Sequence, residues 1–253
     1  MSYAIITGGA KGIGRSFSNL LADKGYDLVL VSRHLEDLAE AQKEIQAKYK
    51  VKVHIYVGDL SQASFIDKFI AFAEPYNAEI LVNNAGFGHN DLFIDAPLDK
   101  ELQMIELNIK AVHILTKWFY KKSVTNNKGR IINISSLAGF VPGPYASTYY
   151  ATKAYVTSLT RALAYEAKKS KTNVLVQVVC PGPIKSEFYK EAGTNPRFYK
   201  RSPNYVASLA LNSRKTVIVP GFKEKFAHVV LKIIPTSISL KLAGIGQKKK
   251  KIK

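Results

Sequence analysis

The 253-residue chain of 28.0 kDa suits one large α/β domain better than two small ones, and 47% hydrophobic with 11% aromatic residues exclude global disorder. A single cysteine, Cys180, excludes an internal disulfide and a cysteine-rich zinc site and fits a reducing cytoplasm, while the opening residues predict no signal peptide and no run is apolar enough to span a bilayer. Thirty-seven basic against nineteen acidic residues give +18, of which residues 214–253 carry +10 through eleven basic side chains against Glu224 alone, a balance that favours anionic partners without choosing among them.

Taken in chain order, unalternated β-rich runs at residues 3–7, 28–31, 51–57, 80–82, 130–135, 174–179 and 216–219 read as strands covered on both faces. Helical patterns lie between them near 13–24, 35–49, 62–74, 98–121, 148–169 and 204–212. Such alternation predicts right-handed crossovers and a Rossmann-like, doubly wound parallel sheet flanked by helices on both faces. Irregular segments at 84–97 and 182–203 follow strands, at the sheet edge where ligands bind in this architecture. Residues 1–221 are expected to form one catalytic domain and 222–253 a basic C-terminal extension.

The first strand ends in Thr7-Gly8-Gly9-Ala10-Lys11-Gly12-Ile13-Gly14, with a helical pattern directly behind. Glycines at 8, 12 and 14 allow a tight turn, close backbone approach to a pyrophosphate and close helix–strand packing, with helix N–H groups facing the anion. A carboxylate usually follows the second strand when the ribose 2′-hydroxyl of NAD is bound; here Ser32-Arg33 stands instead. Arg33 and Lys11 favour the 2′-phosphate of NADP, the alternative being that both are solvated surface cations.

The fifth strand leads into Ser135-Ser136, and thirteen positions beyond Ser136 stands Tyr149, four residues ahead of Lys153 on one helix face. An ammonium beside a phenol favours the phenolate, which suits proton exchange with a carbonyl oxygen, and a nearby serine hydroxyl can hold that oxygen. Tyr150 fails this test, because Ala154 stands four residues on.

These segments, over about residues 3–220, resemble the short-chain dehydrogenase/reductase family. The resemblance implies that Thr7 to Gly14 is the cofactor turn, that Asp59-Leu60 contacts adenine, and that Asn83-Asn84-Ala85-Gly86 steadies the sheet and lines the adenine–ribose side. It further implies that Ser136, Tyr149, Lys153 and Asn108 are catalytic, Asn108 holding a water of the proton relay. Pro181-Gly182-Pro183-Ile184 would pass the nicotinamide, with Ser186 where the family often has threonine. The activity implied is reversible, NADP-dependent reduction of a ketone or aldehyde, on a small-molecule substrate that is lipid-like or acyl, by a homodimer or homotetramer. The rival readings are a catalytically silent NADP-binding regulator and a basic membrane or nucleic-acid adaptor; no specific nucleic-acid motif is present.

Cys180 reads as core, and the five dispersed histidines show no metal-ligand spacing, although His89 could line the substrate pocket. Trp118-Phe119-Tyr120 reads as core or subunit contact. The loop 185–201 mixes aromatic and basic residues and reads either as a cover for an acyl chain with an anionic head or as a solvated lid. Phe226, Val229, Val230, Ile233 and Ile234 predict an amphipathic helix stopped by Pro235, followed by a second apolar stretch at 238–245 and a lysine tail. Its basic flanks suit a membrane-surface helix; packing on the domain is the alternative, so the expected location is cytoplasmic, with or without membrane association.

Overall fold

A computed structural model describes residues 2–184 and 201–248. Seven parallel strands form one sheet in the order β3-β2-β1-β4-β5-β6-β7: β1 Tyr3–Thr7, β2 Asp27–Ser32, β3 Val53–Val57, β4 Ala78–Asn83, β5 Gly129–Ile134, β6 Val174–Val179 and β7 Val217–Ile218. The order reverses between β1 and β4, so the doubly wound sheet expected from the sequence is the observed fold.

The absence of alternation in the strands has its cause in two apolar layers. Ala4 and Ile6 of β1 and Leu28 and Leu30 of β2 face helices α1 (Gly12–Asp23) and α2 (Leu35–Lys48), packing with Phe17, Leu21 and Leu38. Ile5, Val29 and Val31 face the other layer, where α3 (Ala63–Ala73) brings Phe69 and α5 (Val112–Thr125) brings Phe119. These strand side chains are fully buried, each Ile, Leu and Val contributing about 1.5–3 kcal/mol of transfer free energy.

Strand ends differ from expectation where hydrogen bonding decides them. β3 starts two residues late because Val51 closes a turn on the Tyr49 carbonyl and the Lys52 N–H donates to Asp27. β4 is longer than its apolar run because β1 and β5 pair with it on both sides. β7 keeps two residues, paired only with Val178 and Val179. The single helix expected over 98–121 is α4 (Leu98–Ile105), a π-helical turn over Glu106–Ala111, and then α5. After α6 (Ser147–Lys169) and α7 (Pro203–Asn212), the C-terminal segment forms two helices, α8 (Phe222–Ile233) and α9 (Thr236–Lys248), on either side of Pro235. Ser186, and the loop expected over 185–201 apart from Arg201, lie outside the described residues.

Polar groups lock the buried sheet sideways. Asn83 of β4 donates to Asn133 of β5 at 2.8 Å and to Thr116 of α5 at 3.0 Å, and Asn133 donates to Thr160 of α6 at 2.9 Å. Farther down β5, the Arg130 guanidinium donates to Gln177 and to the carbonyls of Ala210, Leu211 and Ser213 at 2.7–3.0 Å. Burial holds its pKa below the usual arginine value, with the charge of Arg214 adding to the effect. A cation at a helix C-terminus also complements the helix dipole. Arg130→Met should therefore destabilise the fold by about 2–4 kcal/mol, since it leaves the end carbonyls of α7 unsatisfied. Urea titration of the two proteins checks this, and a loss below about 0.5 kcal/mol would count against a capping role.

Candidate active site

A cavity of about 540 Å³ opens along the carboxyl ends of β1, β2, β4 and β5. At one end stands the glycine turn. Gly8 and Gly12 have φ of +62° and +55°, which other residues adopt only with strain. A Cβ on Gly14 would overlap the Gly8 carbonyl oxygen, so the first helix can lie against the turn only with glycine there. Asn84 donates to the carbonyls of Thr7 and Gly8, both at 3.1 Å, and Ser18 donates to that of Gly9 at 2.9 Å, holding the turn from both sides.

The expected cofactor residues divide clearly. Gly8, Lys11, Gly12, Ile13, Ser32, Arg33, Asp59, Leu60, Asn84, Ala85, Gly86, Tyr149, Lys153, Pro181, Gly182 and Ile184 line the cavity. Thr7, Gly9 and Gly14 lie behind the lining, where they shape the turn. The wall also includes Asp37, Phe87 and Ser135, which spacing alone did not single out. Asp37 could have been found as an acid in the first turn of α2, and it pairs with Lys11 at 2.9 Å. His89 is not part of the wall.

The residues present fit a pyridine dinucleotide. The glycine turn leaves its backbone open to a diphosphate, and the buried Ser32 hydroxyl on the cavity wall has no protein partner. Arg33 adjoins it, and Lys11 stands in the turn itself.

At the other end, Lys153 reaches from α6 with only 6% of its surface exposed and donates from Nζ to the Ile134 carbonyl at 3.1 Å. Its Nζ lies 5.8 Å from the centre of the Tyr149 ring. Burial lowers the lysine pKa to about 8, the thiol of Cys180 opposing this slightly. Burial likewise pushes Cys180 up to about 12, so it remains a thiol of the core. Ser135 donates to the Lys153 carbonyl at 2.8 Å, fixing the helix against the strand end. Ser136 accepts from the Ala138 N–H at 3.1 Å and reaches the Pro181 carbonyl at 3.5 Å.

Asn108 is fully buried in the π-helical turn and is not part of the cavity wall. Its amide donates to the Phe87 carbonyl at 2.8 Å and to Thr152 at 3.2 Å, while its oxygen accepts from the Phe87 N–H at 3.2 Å. Both amide protons are thus committed to holding the strand-end loop against α6. Tyr150 points elsewhere: its ring packs over Gly143, its hydroxyl accepts from Gln247 of α9, and it does not line the cavity. Trp118 donates to Glu74 at 2.5 Å, and Phe119 is core. Among the described residues, no group of three or more His, Cys, Asp or Glu side chains converges as a metal site would require.

A buried lysine disfavours folding while it is charged. Below pH 8 the folded and unfolded chains both carry the proton and the full penalty of charging a buried amine applies, about 3 kcal/mol for such a shift. Between pH 8 and 10.5 the unfolded chain holds a proton that the folded one has lost, so this group makes stability rise with pH across that window. Lys153→Met should stabilise the protein at pH 7 by about 2 kcal/mol, after loss of the Ile134 hydrogen bond, and the gain should fade by about pH 10. Urea titrations at the two pH values measure it, and a variant less stable than the parent at pH 7 would contradict the burial penalty.

Similarity to known proteins agrees with this architecture. Residues 2–197 match the short chain dehydrogenase family. A very-long-chain 3-oxoacyl-CoA reductase of Anas platyrhynchos is 32% identical over 251 residues, 95% of this chain and 78% of that protein. The human 17-beta-hydroxysteroid dehydrogenase type 3 is 34% identical over 213 residues, 81% of this chain and 68% of that one. Among solved structures, one of a 7beta-hydroxysteroid dehydrogenase superposes with a TM-score of 0.88 at 21% identity, covering 96% of both chains, a likeness of fold alone. A short-chain dehydrogenase from Sphingobium yanoikuyae in complex with NADPH superposes with a TM-score of 0.82 at 26% identity, covering 94% of this chain and 98% of that one. With its sheet order, its glycine turn and a family match over most of its length, the chain is a member of the short-chain dehydrogenase/reductase family and an oxidoreductase.

Proposed function

We propose that the chain is an NADPH-dependent reductase of a ketone carried on a lipid-like, acyl substrate. The observation that carries this reading is the Lys153 ammonium, buried behind the Tyr149 ring at the end of a cavity whose other end is a glycine turn. Relatives named as 3-oxoacyl-CoA reductases and a hydroxysteroid dehydrogenase support the substrate class.

Thr7 to Gly14, Asp59, Leu60, Asn84, Ala85 and Gly86 would hold the dinucleotide on this reading, with Pro181, Gly182 and Ile184 beside the nicotinamide. Ser32, Arg33 and Lys11 would take the 2′-phosphate; Lys11 would then share its charge with Asp37. Bound there, the cofactor supplies the hydride. The Tyr149 hydroxyl gives its proton to the substrate oxygen as the carbonyl carbon is reduced, and the phenolate left behind is stabilised by Lys153. Ser136 donates a hydrogen bond to the same oxygen and orients it, which strengthens as charge develops there. Asn108 would hold the water of the proton relay on this reading, and its amide fixes the Phe87 loop and Thr152 beside it.

Residues 1–221 act as the catalytic unit on this reading, and 222–253 as an appended segment. The exposed row Leu98, Leu102 and Ile105 on α4 supports assembly into a homodimer or homotetramer.

Tyr149→Phe should lower kcat by at least about a hundredfold while leaving NADPH affinity nearly intact. Absorbance of NADPH during turnover of 3-oxoacyl thioesters of graded chain length measures it, and retained turnover would overturn the assignment. Tyr150→Phe serves as the comparison and should change kcat little. Separately, the parent protein should bind NADPH at least about tenfold more tightly than NADH, and Arg33→Ala should remove much of that difference, since a charge-assisted hydrogen bond contributes about 1.5–3 kcal/mol. Equal affinities for the two cofactors in the parent protein would overturn the 2′-phosphate assignment.

A further inference from the structure

Helices α8 and α9 turn their rows of large apolar residues away from the sheet. Three of their polar residues face the protein: Glu224 is 4% exposed, Ser239 3% and Gln247 7%. Their large apolar residues face outward, in rows with the 4–3 spacing of a single helix face. Phe222, Phe226, Val229 and Ile233 form the row on α8, with Phe222 81% and Ile233 77% exposed. Ile238, Leu242 and Ile245 form the row on α9. The sequence pattern assigned Val230 and Ile234 to the same stripe, but both are only half-buried flanks of it.

The inward attachments are specific. Glu224 lies against Gly182 of the cavity wall, and Gln247 donates to Tyr150, the neighbour of Tyr149. The pair is therefore anchored to the body by its polar side, and its apolar side is left without protein among the described residues. Exposed Lys223, Lys225 and Lys241 flank the rows, and the sequence continues into Lys248–Lys251 and Lys253.

We infer that α8 and α9 form a docking surface for an anionic lipid bilayer, lying flat on it with their apolar rows inserted. Charge selects this occupant over a second copy of the chain. A two-fold interface through this face would bring each lysine set against its own duplicate, whereas an anionic surface attracts both. Burial of an apolar face among basic flanks is the physics of interfacial helices, and no helix of the described residues is long and apolar enough to cross a membrane instead. The surface has a placement that matters for catalysis. Gly182 and Tyr150 are held from its inner side, so the bilayer lies about one helix diameter, roughly 10 Å, from the end of the cavity where Tyr149 stands. A long acyl substrate dissolved in the membrane then reaches that end without crossing bulk water. This last step rests on the acyl-reductase reading; the docking itself does not.

Co-sedimentation of the full chain with vesicles tests the surface. Vesicles of phosphatidylserine and phosphatidylcholine should retain the protein at low salt at least about tenfold more strongly than phosphatidylcholine alone, with added salt weakening the difference. The double variant Phe226→Asp, Ile233→Asp should lose most vesicle binding at unchanged Tm and unchanged turnover of a short, water-soluble 3-oxo ester, because both side chains already face solvent. Lys223→Gln, Lys225→Gln and Lys241→Gln together should remove much of the preference for the anionic vesicle. No vesicle binding at low salt, or binding unaffected by both variants, would overturn the inference. So would light scattering that finds a dimer in the parent and a monomer in the aspartate variant, since the face would then belong to a second copy. Vesicle binding without turnover of any ketone would leave the docking surface standing and overturn the reductase reading instead.

Discussion

Where β1 and β4 part at their carboxyl ends, backbone pairing between them runs out, and a single hydroxyl takes its place. Thr7 Oγ1 accepts from the N–H groups of both Asn84 and Ala85 at 2.9 Å, and the Asn84 amide returns two hydrogen bonds to the carbonyls of Thr7 and Gly8. The strands can then diverge, one toward α1 and the other toward the Phe87 loop, without orphaned peptide groups facing the gap. The cavity exists because that divergence is held open. Asn83 and Asn133 repeat the device one residue deeper, tying β4 to β5 and to both helices behind them. Everything that reaches the site, from the glycine turn to Lys153 on α6, hangs from this row of amides and hydroxyls.

Much of this was legible in the sequence because it follows from local rules. Unbroken runs such as Leu28-Val29-Leu30-Val31 could only be strands covered on both faces, and the glycine spacing after Thr7 required a strand–turn–helix context that the chain provides. The spacing of Tyr149 to Lys153 set Tyr149, which lines the cavity, apart from its neighbour Tyr150, which turns away from it. What stayed hidden was non-local. Nothing in the pattern of 98–121 marks a π-helical turn, because that turn is selected by the contacts of Asn108 with Phe87 and Thr152, which are 21 and 44 residues away. The pairing of Lys11 with Asp37 depends on how α2 packs beside the turn. The hydrophobic stripe on α8 was visible, but periodicity gives a face without saying which way it points; here Phe222, Phe226, Val229 and Ile233 point outward while Glu224 is buried.

Two features are maintained against stability. Lys153 would fold more favourably as an apolar residue, yet its ammonium is kept in a site from which water is largely excluded, where a positive charge acts on a nearby phenol with little screening. The rows on α8 and α9 forgo burial that the same residues could have found by facing inward. Natural chains retain such departures from local consistency mainly where function requires them. In both places the residue type fits its neighbours poorly, and fits well the task proposed for it.

The π-helical turn sets a different kind of boundary on this chain. A one-residue deletion between Glu106 and Ala111 would let α4 and α5 join as a single regular helix, a change that would look benign by propensity alone. The two helices would keep their faces, because a π turn takes up one extra residue locally and leaves its flanks in register. Met104 and Glu101 would stay on the buried side of α4, but Asn108 would lose the widened turn that carries its amide to Phe87 and Thr152. The extra residue therefore serves the strand-end loop and α6, and not the packing of α4 and α5. The length of this stretch is therefore tied to one side chain: a chain that drops the extra residue gives up the amide that clamps the Phe87 loop against α6.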